Sequence, residues 1–534
     1  MSIAVGAACA TPHLPDKALP EPAVSLRAAY DRMPAAARGS VRILEDNVDA
    51  WVARMTLIES AQKTLDVQYF IIEGDAYGMA LLGLLAEKAR DGVEVRLMVD
   101  ARGTFELIRK EQRYLLQEVK RAGADVRVYN PIIWRIGEAV IGGDLRRVAA
   151  SNHDKMIVVD GHAVIAGGRN LSKDYLSDPR DLAGAFIDLD AWYEGESVAS
   201  RYTEAFVAEF NAKNTSTLWL EAGGDGQTAL RLTLAAMKGW LADVPFTNEE
   251  IKASHTAADS DARTDAVALA FEGQLIAAEK TIPSDKVREA LRKSTRLLAR
   301  EMHLRGARTK EIPRISDDVD LRVLDTYSSE SSRLKNTVNE NLMLAVLSAH
   351  QKVIIQSPYL VLSDRGLRAL EQVSANGVEI IVLTNSPASS DSPPTQAAFM
   401  RQWPKLLARA KTARLFVVAE SRLMHAKVGI VDDQVAFVGS YNLDPLSAGV
   451  NSEVVAAIWS SIVATHLSGL VETRINNGAP GVVEYRIERD SAGNVIEKDG
   501  EPVIAFGPEN HCTPAQLAAA KKIEPFLDFL APLL

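Results

Sequence analysis

"SNHDKMIVVDGHAVIAGGRN", residues 151–170, and "RLMHAKVGIVDDQVAFVGSYN", residues 422–442, carry the same layout twice in one chain. In each, a histidine and a lysine stand two apart: His153 and Lys155, then His425 and Lys427. An aspartate follows seven residues after each histidine, Asp160 and Asp432, and then a short apolar run. Each stretch closes on small residues and an asparagine: Gly167, Gly168 and Asn170, then Gly439, Ser440 and Asn442. Alternation along a strand puts His153 and Lys155 on one face. "MIVV" (156–159) reads as a strand, "DGH" as a turn and "AVIA" (163–166) as the returning strand. Such a hairpin brings the Gly-Gly-x-Asn segment level with His153 and Lys155. The glycines are expected to let a ligand approach the backbone closely.

The duplication extends outward. "TLDVQYFII" (64–72), "YGMALLGLLAEKARDG" (77–92) and "VEVRLMVD" (93–100) read as strand, helix and strand, with Gly92 ending the helix. "KVIIQSPYLVL" (352–362), "DRGLRALEQVSANG" (364–377) and "VEIIVLTNS" (378–386) repeat that order, with Gly377 in the same role. Strand–helix–strand units mark parallel sheet, so the expected fold is α/β, two similar lobes in one chain related by a pseudo-twofold axis. The expected boundaries are 1–40 leader and linker, 41–221 first lobe, 222–340 helical insert, 341–475 second lobe and 476–534 C-terminal extension. Within that extension, "VVEYRIERDSAGNVIEKDGEPVIAF" (482–506) reads as two or three short strands before a final apolar helix.

The chain has 534 residues and a net charge of −10. An acidic balance disfavours a general nucleic-acid binder but leaves room for a locally basic pocket. Cys9 and Cys512 are the two cysteines, too few for a disulfide framework or a cysteine metal cluster. No apolar run reaches the roughly 18 residues of a spanning helix. Small apolar residues before Cys9 look like the end of a lipoprotein signal, although the charged leader is missing; an ordinary tail residue is the competing reading. The stretch 285–314 is basic with apolar residues near helical spacing. It reads either as a membrane-surface helix or as a helix packed on the lobes with a solvated charged face.

An imidazole, an ammonium and an amide gathered twice suit a phosphate. Lysine supplies a point charge and asparagine a neutral donor. With two copies face to face, one histidine can attack and the other can protonate the leaving oxygen. Two lysines neutralise developing charge, so no metal or other cofactor is called for. Each histidine needs an orienting partner on its other ring nitrogen. Glu453, shortly after the second motif, and Asp188, after the first, hold matching places, with Asp190 competing for the latter. Asp160 and Asp432 belong to the repeated catalytic pattern, yet at strand ends they suit bracing of the turn better than proton transfer.

The pattern His-x-Lys-x4-Asp-x6-Gly-[Gly/Ser]-x-Asn resembles that of the phospholipase D superfamily. Both copies match it. "GGRNLSKDYL", "QSPYLVLSDRG", "VLTNSPASSD" and "VGSYNLDPLS" are similar to segments of bacterial cardiolipin synthases of the soluble or lipoprotein type. The resemblance covers about residues 45–220 and 320–475. It implies one active site between the lobes, a phosphohistidine intermediate without a metal, His153 as nucleophile and His425 as general acid. Leu446 stands where that branch often has arginine, while Ser447 remains. The implied activity is phosphatidyl transfer, making cardiolipin from phosphatidylglycerol and a second phospholipid. Hydrolysis is the near alternative; a nuclease and a catalytically silent binding protein are the others. A glycerophospholipid substrate, a membrane surface and the bacterial cell envelope follow from this reading, with a peripheral cytoplasmic site as the alternative. The sequence leaves the oligomeric state open.

Overall fold

The computed structural model describes residues 18–109, 113–131, 150–179, 182–220, parts of 226–234, 312–327, 337–476 and 481–527. The first lobe contains β1 (Ala36–Leu44), β2 (Thr64–Tyr69), β3 (Glu94–Asp100), β4 (Asp125–Tyr129), β5 (Met156–Val159), β6 (Ala163–Gly167) and β7 (Asp190–Glu194). Their pairings give the order β4-β3-β2-β5-β6-β7-β1, parallel across β2, β3 and β4 and antiparallel thereafter. An equivalent set follows: β8 (Thr215–Thr217) caps β4, and then come β9 (Ser316–Thr326), β10 (Lys352–Gln356), β11 (Glu379–Asn385), β12 (Ala413–Val418), β13 (Val428–Val431), β14 (Val435–Gly439) and β15 (Glu453–Trp459). Their order, β12-β11-β10-β13-β14-β15-β9, reproduces the first lobe strand for strand.

The parallel strands are buried on both faces, and in β2 this includes the polar Asp66 and Gln68. The helices between them have local start and stop signals. Asp75 accepts from Gly78 N at 3.0 Å at the head of the helix Ala76–Arg90, and Gly92 takes φ 91° beyond its end. Ser363 and Gly377 (φ 80°) do the same for the helix Asp364–Ala375.

The lobes join through β1 and β9, which pair antiparallel with Ala36 opposite Arg322 and Arg38 opposite Asp320. Each lobe has its own core, around Trp51, Leu81 and Leu97 in the first and Trp403, Leu370 and Ile380 in the second. A further core cluster draws on both lobes, with Met98, Tyr193 and Phe206 from one and Ile381, Phe416 and Ile458 from the other. The inner ends of both sheets therefore meet across buried apolar surface.

Three expected boundaries change. The span 1–40 holds a helix, Leu26–Asp31, and the start of β1, so from residue 26 it is not linker. The span 222–340 contains β9, whose Val319, Leu321 and Val323 are buried on one face with Asp320 and Arg322 between them. Residues 235–311 of that span, with nearly all of the basic stretch 285–314, lie outside the described residues, as does Cys9. The C-terminal extension is not separate either: its first strand, Val482–Ile487, pairs antiparallel with β12 and extends the second lobe's sheet. A pairing partner far away in sequence decides each of these, and composition alone does not reveal it.

Candidate active site

Both hairpins form where expected. Met156 pairs with Ala166 and Val428 with Val438. Each turn has two residues in the left-handed region, Asp160 (φ 51°) and Gly161 (φ 62°), then Asp432 (φ 53°) and Asp433 (φ 49°). Positive φ at both residues suits the right-handed twist of the strands on either side, and each loop has three residues between the paired ends. Gly167 N donates to Lys155 O at 3.3 Å, so the returning strand does come level with the lysine.

Asp160 and Asp432 sit at the far end of the hairpins from the histidines. Asp160 accepts from the backbone N–H of Gln62 (2.9 Å), Lys63 (2.7 Å) and Thr64 (2.9 Å). Asp432 accepts from His350 (2.9 Å), Gln351 (2.8 Å) and Lys352 (3.0 Å). Each carboxylate staples its hairpin to the start of the adjacent parallel strand. Their membership in the catalytic pattern is thus architectural, and the bracing reaches a neighbouring strand rather than the turn itself.

The glycines also have a different reason from the one expected. A Cβ on Gly168 would overlap Asp188 Oδ1, one on Gly167 would overlap Asp190, and one on Gly439 would overlap Val454 O. The adjoining chain of the same lobe fills that space, not a ligand.

The histidines meet between the lobes, and their partners are crossed. His153 Nδ1 lies 3.1 Å from both Oε1 and Oε2 of Glu453, in the other lobe. His425 Nδ1 lies 2.7 Å from Oδ2 of Asp188, again in the other lobe. Two short parallel bridges across the interface deliver them. Asn152 pairs with Ser452, with His153 N donating to Ser452 O at 3.1 Å. Met424 pairs with Ile187, with His425 N donating to Ile187 O at 2.7 Å. Asp190 makes no such contact: it binds Arg54 (2.9 Å) and Arg169 (3.0 Å) in a buried ion-pair network.

Ser440 belongs with Glu453 rather than with a phosphate. Its Oγ donates to Glu453 Oε2 at 2.5 Å, and Ser447 Oγ donates to Oε1 at 2.5 Å. Both lysines reach the site: Lys155 Nζ donates to His153 O and Lys427 Nζ to His425 O, each at 2.5 Å. Lys427 Nζ also stands 2.9 Å from His425 Nδ1. Asn170 Oδ1 accepts from Ile71 N at 3.1 Å, whereas the Asn442 Oδ1 is buried with no hydrogen-bond partner among the described residues. Aromatic side chains wall the rings, Phe70 edge-on to His153 at 5.0 Å and Tyr175 edge-on to His425 at 5.1 Å. Phe70 and Tyr175 were not singled out in the sequence, since nothing in their spacing ties them to the motifs.

The electrostatics follow from burial. Desolvation drives His153 down to about 4, against the field of Glu453. It lowers His425 as well, helped by Lys427 and opposed by Asp188. Burial also brings Lys155 down to about 8 and Lys427 to about 7. Burial alone would raise the two carboxyls, but His153 and Lys155 hold Glu453 below its ordinary range, and His425 and Lys427 hold Asp188 well below. A neutral imidazole whose Nδ1–H points at a carboxylate leaves its Nε2 lone pair free to attack.

The family described as "Cardiolipin synthase, PLD-like domain" matches residues 55–206 and 343–474, more than half of the 534 residues. Cardiolipin synthase C of Escherichia coli (strain K12) is 27% identical over 87% of this chain and 90% of its own length. Cardiolipin synthase 1 of Bacillus anthracis is 24% identical over 80% of this chain and 65% of its own. The crystal structure of phosphatidylserine synthase from Haemophilus influenzae Rd KW20 superposes with a TM-score of 0.57 at 13% identity, covering 95% of this chain and 98% of that one; it shares the fold.

Proposed function

The chain belongs to the cardiolipin synthase, PLD-like domain family, and from that premise we propose that it transfers phosphatidyl groups through a phosphohistidine on His153. The observation that carries this reading is the pair of buried imidazoles, each held at Nδ1 by a carboxylate of the opposite lobe, with a lysine beside each. His153 Nε2 attacks phosphorus and forms the P–N bond. The P–O bond to the leaving alcohol breaks, and His425 gives that oxygen its proton. The acceptor hydroxyl then delivers its proton to His425 and its oxygen to phosphorus, and the P–N bond breaks. Lys155 and Lys427 balance the charge of the five-coordinate phosphorus, so the reading needs no metal.

The shorter carboxylate contact at His425, 2.7 Å against 3.1 Å at His153, favours the imidazolium there and supports His425 as the acid. An anionic phosphodiester between the rings favours that protonated form further.

The substrates proposed are phosphatidylglycerol as donor and a second phospholipid as acceptor, giving cardiolipin, with water as the competing acceptor. The proposal places the enzyme at a membrane surface of the bacterial envelope, with Cys9 as the candidate lipid anchor. No helix among the described residues is long and apolar enough to cross a membrane. Lipid extraction and mass spectrometry of cells expressing the chain or its His153→Ala variant tests the activity. Cardiolipin rising only with the unmodified chain is the expected result. Phosphatidic acid rising instead would make it a hydrolase. Radioactive palmitate retained by the full-length protein, and lost in Cys9→Ser, tests the anchor.

A further inference from the structure

Beneath the crossing of His153 and Glu453 lies a further buried carboxylate, Glu209, on the helix Glu196–Phe210. Its Oε2 accepts from Asn152 Nδ2 and its Oε1 from Ser452 Oγ. Asn152 comes immediately before His153, and Ser452 immediately before Glu453. These two residues are also the bridge by which the lobes meet. One carboxylate therefore grips both strands, one from each lobe, a single residue ahead of the pair that must stay aligned. Gln68 Nε2 closes the network, donating to Asn152 Oδ1 at 2.9 Å and to Asp154 Oδ2 at 3.0 Å.

The second crossing is built differently. The residue at the same place in the equivalent helix, Ser461–Asn476, is Arg474. It donates to Gln356 Oε1 at 3.1 Å, and Gln356 is the counterpart of Gln68, the fifth residue of β10 as Gln68 is of β2. The bridging residues there are Met424 and Ile187. Ile187 has no polar side-chain atom, so a grip on both strands through side chains is chemically closed to that half. The pseudo-twofold symmetry is thus broken under the histidines, with an acid in one half and a base in the other. Burial, and next the neighbouring Glu209, push the Asp154 carboxyl well above its ordinary range, so this acidic side is a buried network of interacting polar groups.

We propose that Glu209 is a positioning residue for the transfer reaction, fixing His153 against Glu453 by tying Asn152 of one lobe to Ser452 of the other. This rests on the two-histidine reading above. Glu209 touches neither the phosphorus nor the rings; it acts through the two strands.

The test uses the full-length protein and a soluble 4-nitrophenyl phosphodiester, with His153→Ala as control. A misplacement of about 1 Å can cost about a hundredfold in rate, so Glu209→Ala is expected to lower kcat per folded molecule about a hundredfold. KM should move less than about threefold, because the phosphate ligands stay in place. Ser452→Ala should fall in the same direction, and Glu209→Gln should recover most of the rate, since an amide can accept from Asn152 and donate to Ser452 Oγ.

The second readout is the low-field proton resonance of the His153 Nδ1–H, identified by its loss in Glu453→Ala. It should broaden or vanish in Glu209→Ala and Ser452→Ala. Turnover close to that of the unmodified enzyme in these two variants overturns the proposal, and so does lost turnover with an unchanged resonance. If Glu209→Ala does not fold, Ser452→Ala carries both readings. Failure of the two-histidine reading looks different: His153→Ala would then turn over like the unmodified chain, whatever Glu209 does to the resonance.

Discussion

His153 and Glu453 stand 300 residues apart in the chain, yet Nδ1 of the one is equidistant, at 3.1 Å, from both carboxylate oxygens of the other. Two serine hydroxyls hold that carboxylate in turn, so its orientation is set before any substrate arrives. Glu453→Gln keeps the shape but removes the charge and lets the amide face either way. Turnover is expected to fall about a hundredfold, as for misalignment of a reacting group, with little change in melting temperature. Steady-state kinetics beside calorimetry checks this; unchanged kcat would show that the contact is packing alone.

The buried site also sets a pH profile. His153 is held down to about 4, so it is neutral and able to attack across the whole range above that. On the alkaline side His425, needed protonated as the acid, is itself held below its ordinary value by burial and Lys427. Above it the lysines, Lys427 at about 7 and Lys155 at about 8, lose their charge as pH rises. The ratio kcat/KM should therefore begin to fall as His425 loses its proton and decline further between about pH 7 and 8 on the lysines' account. Lys427→Arg keeps its proton and should move that decline upward, at some loss of rate from the altered shape. A decline that stays put in Lys427→Arg would assign it to another group.

Asp160 offers a stability test away from the chemistry. Its three backbone hydrogen bonds hold its carboxyl below the ordinary range despite the opposing effect of partial burial. A carboxyl with a lowered folded pKa stabilises the protein above its unfolded pKa of about 4, and that contribution fades as pH falls through the folded value. Asp160→Asn should cost about 1–3 kcal/mol at neutral pH, and the gap from the unmodified protein should narrow in acid. Denaturant titrations at several pH values measure it. A gap that widens in acid would reverse the sign of the argument.

Gly168→Ala reaches the site from behind. The added methyl must displace Asp188, which holds His425. Overpacking of this kind costs about 1–3 kcal/mol, and the transfer rate should fall more steeply than the stability does. Parallel measurement of thermal unfolding and turnover separates the two effects; full activity in the variant would mean that Asp188 has room to move.

Turnover is expected to survive chelation, because the lysine pair provides the positive charge at the phosphate. Assay in excess EDTA tests this, and loss with rescue by one divalent ion would replace the metal-free mechanism.

Much of this site was legible in one dimension because its motifs are local. A hairpin needs only a turn between two apolar runs, and the helices carry their own caps at Asp75, Gly92, Ser363 and Gly377. Repetition of the same order twice implied two lobes. The strand β9 was also within reach, since Val319, Leu321 and Val323 alternate with polar residues. By contrast, β1 has few β-branched residues and takes its place only from its neighbours β7 and β9.

By itself, the sequence determined that two His-x-Lys hairpins exist, that each carries its own lysine and asparagine, and that Glu453 and one of Asp188 and Asp190 are the carboxylates to pair with them. Which carboxylate serves which histidine was decided only by the tertiary structure. The two parallel bridges, Asn152 with Ser452 and Met424 with Ile187, join segments of opposite lobes, so each acid lands on the other lobe's imidazole. Tertiary packing likewise turned the glycines from ligand contacts into strand contacts and sent Asp190 to Arg54 and Arg169. Spacing along a chain defines what lies on one strand face; which strand crosses which depends on buried apolar area shared by both lobes, a quantity spread over hundreds of residues.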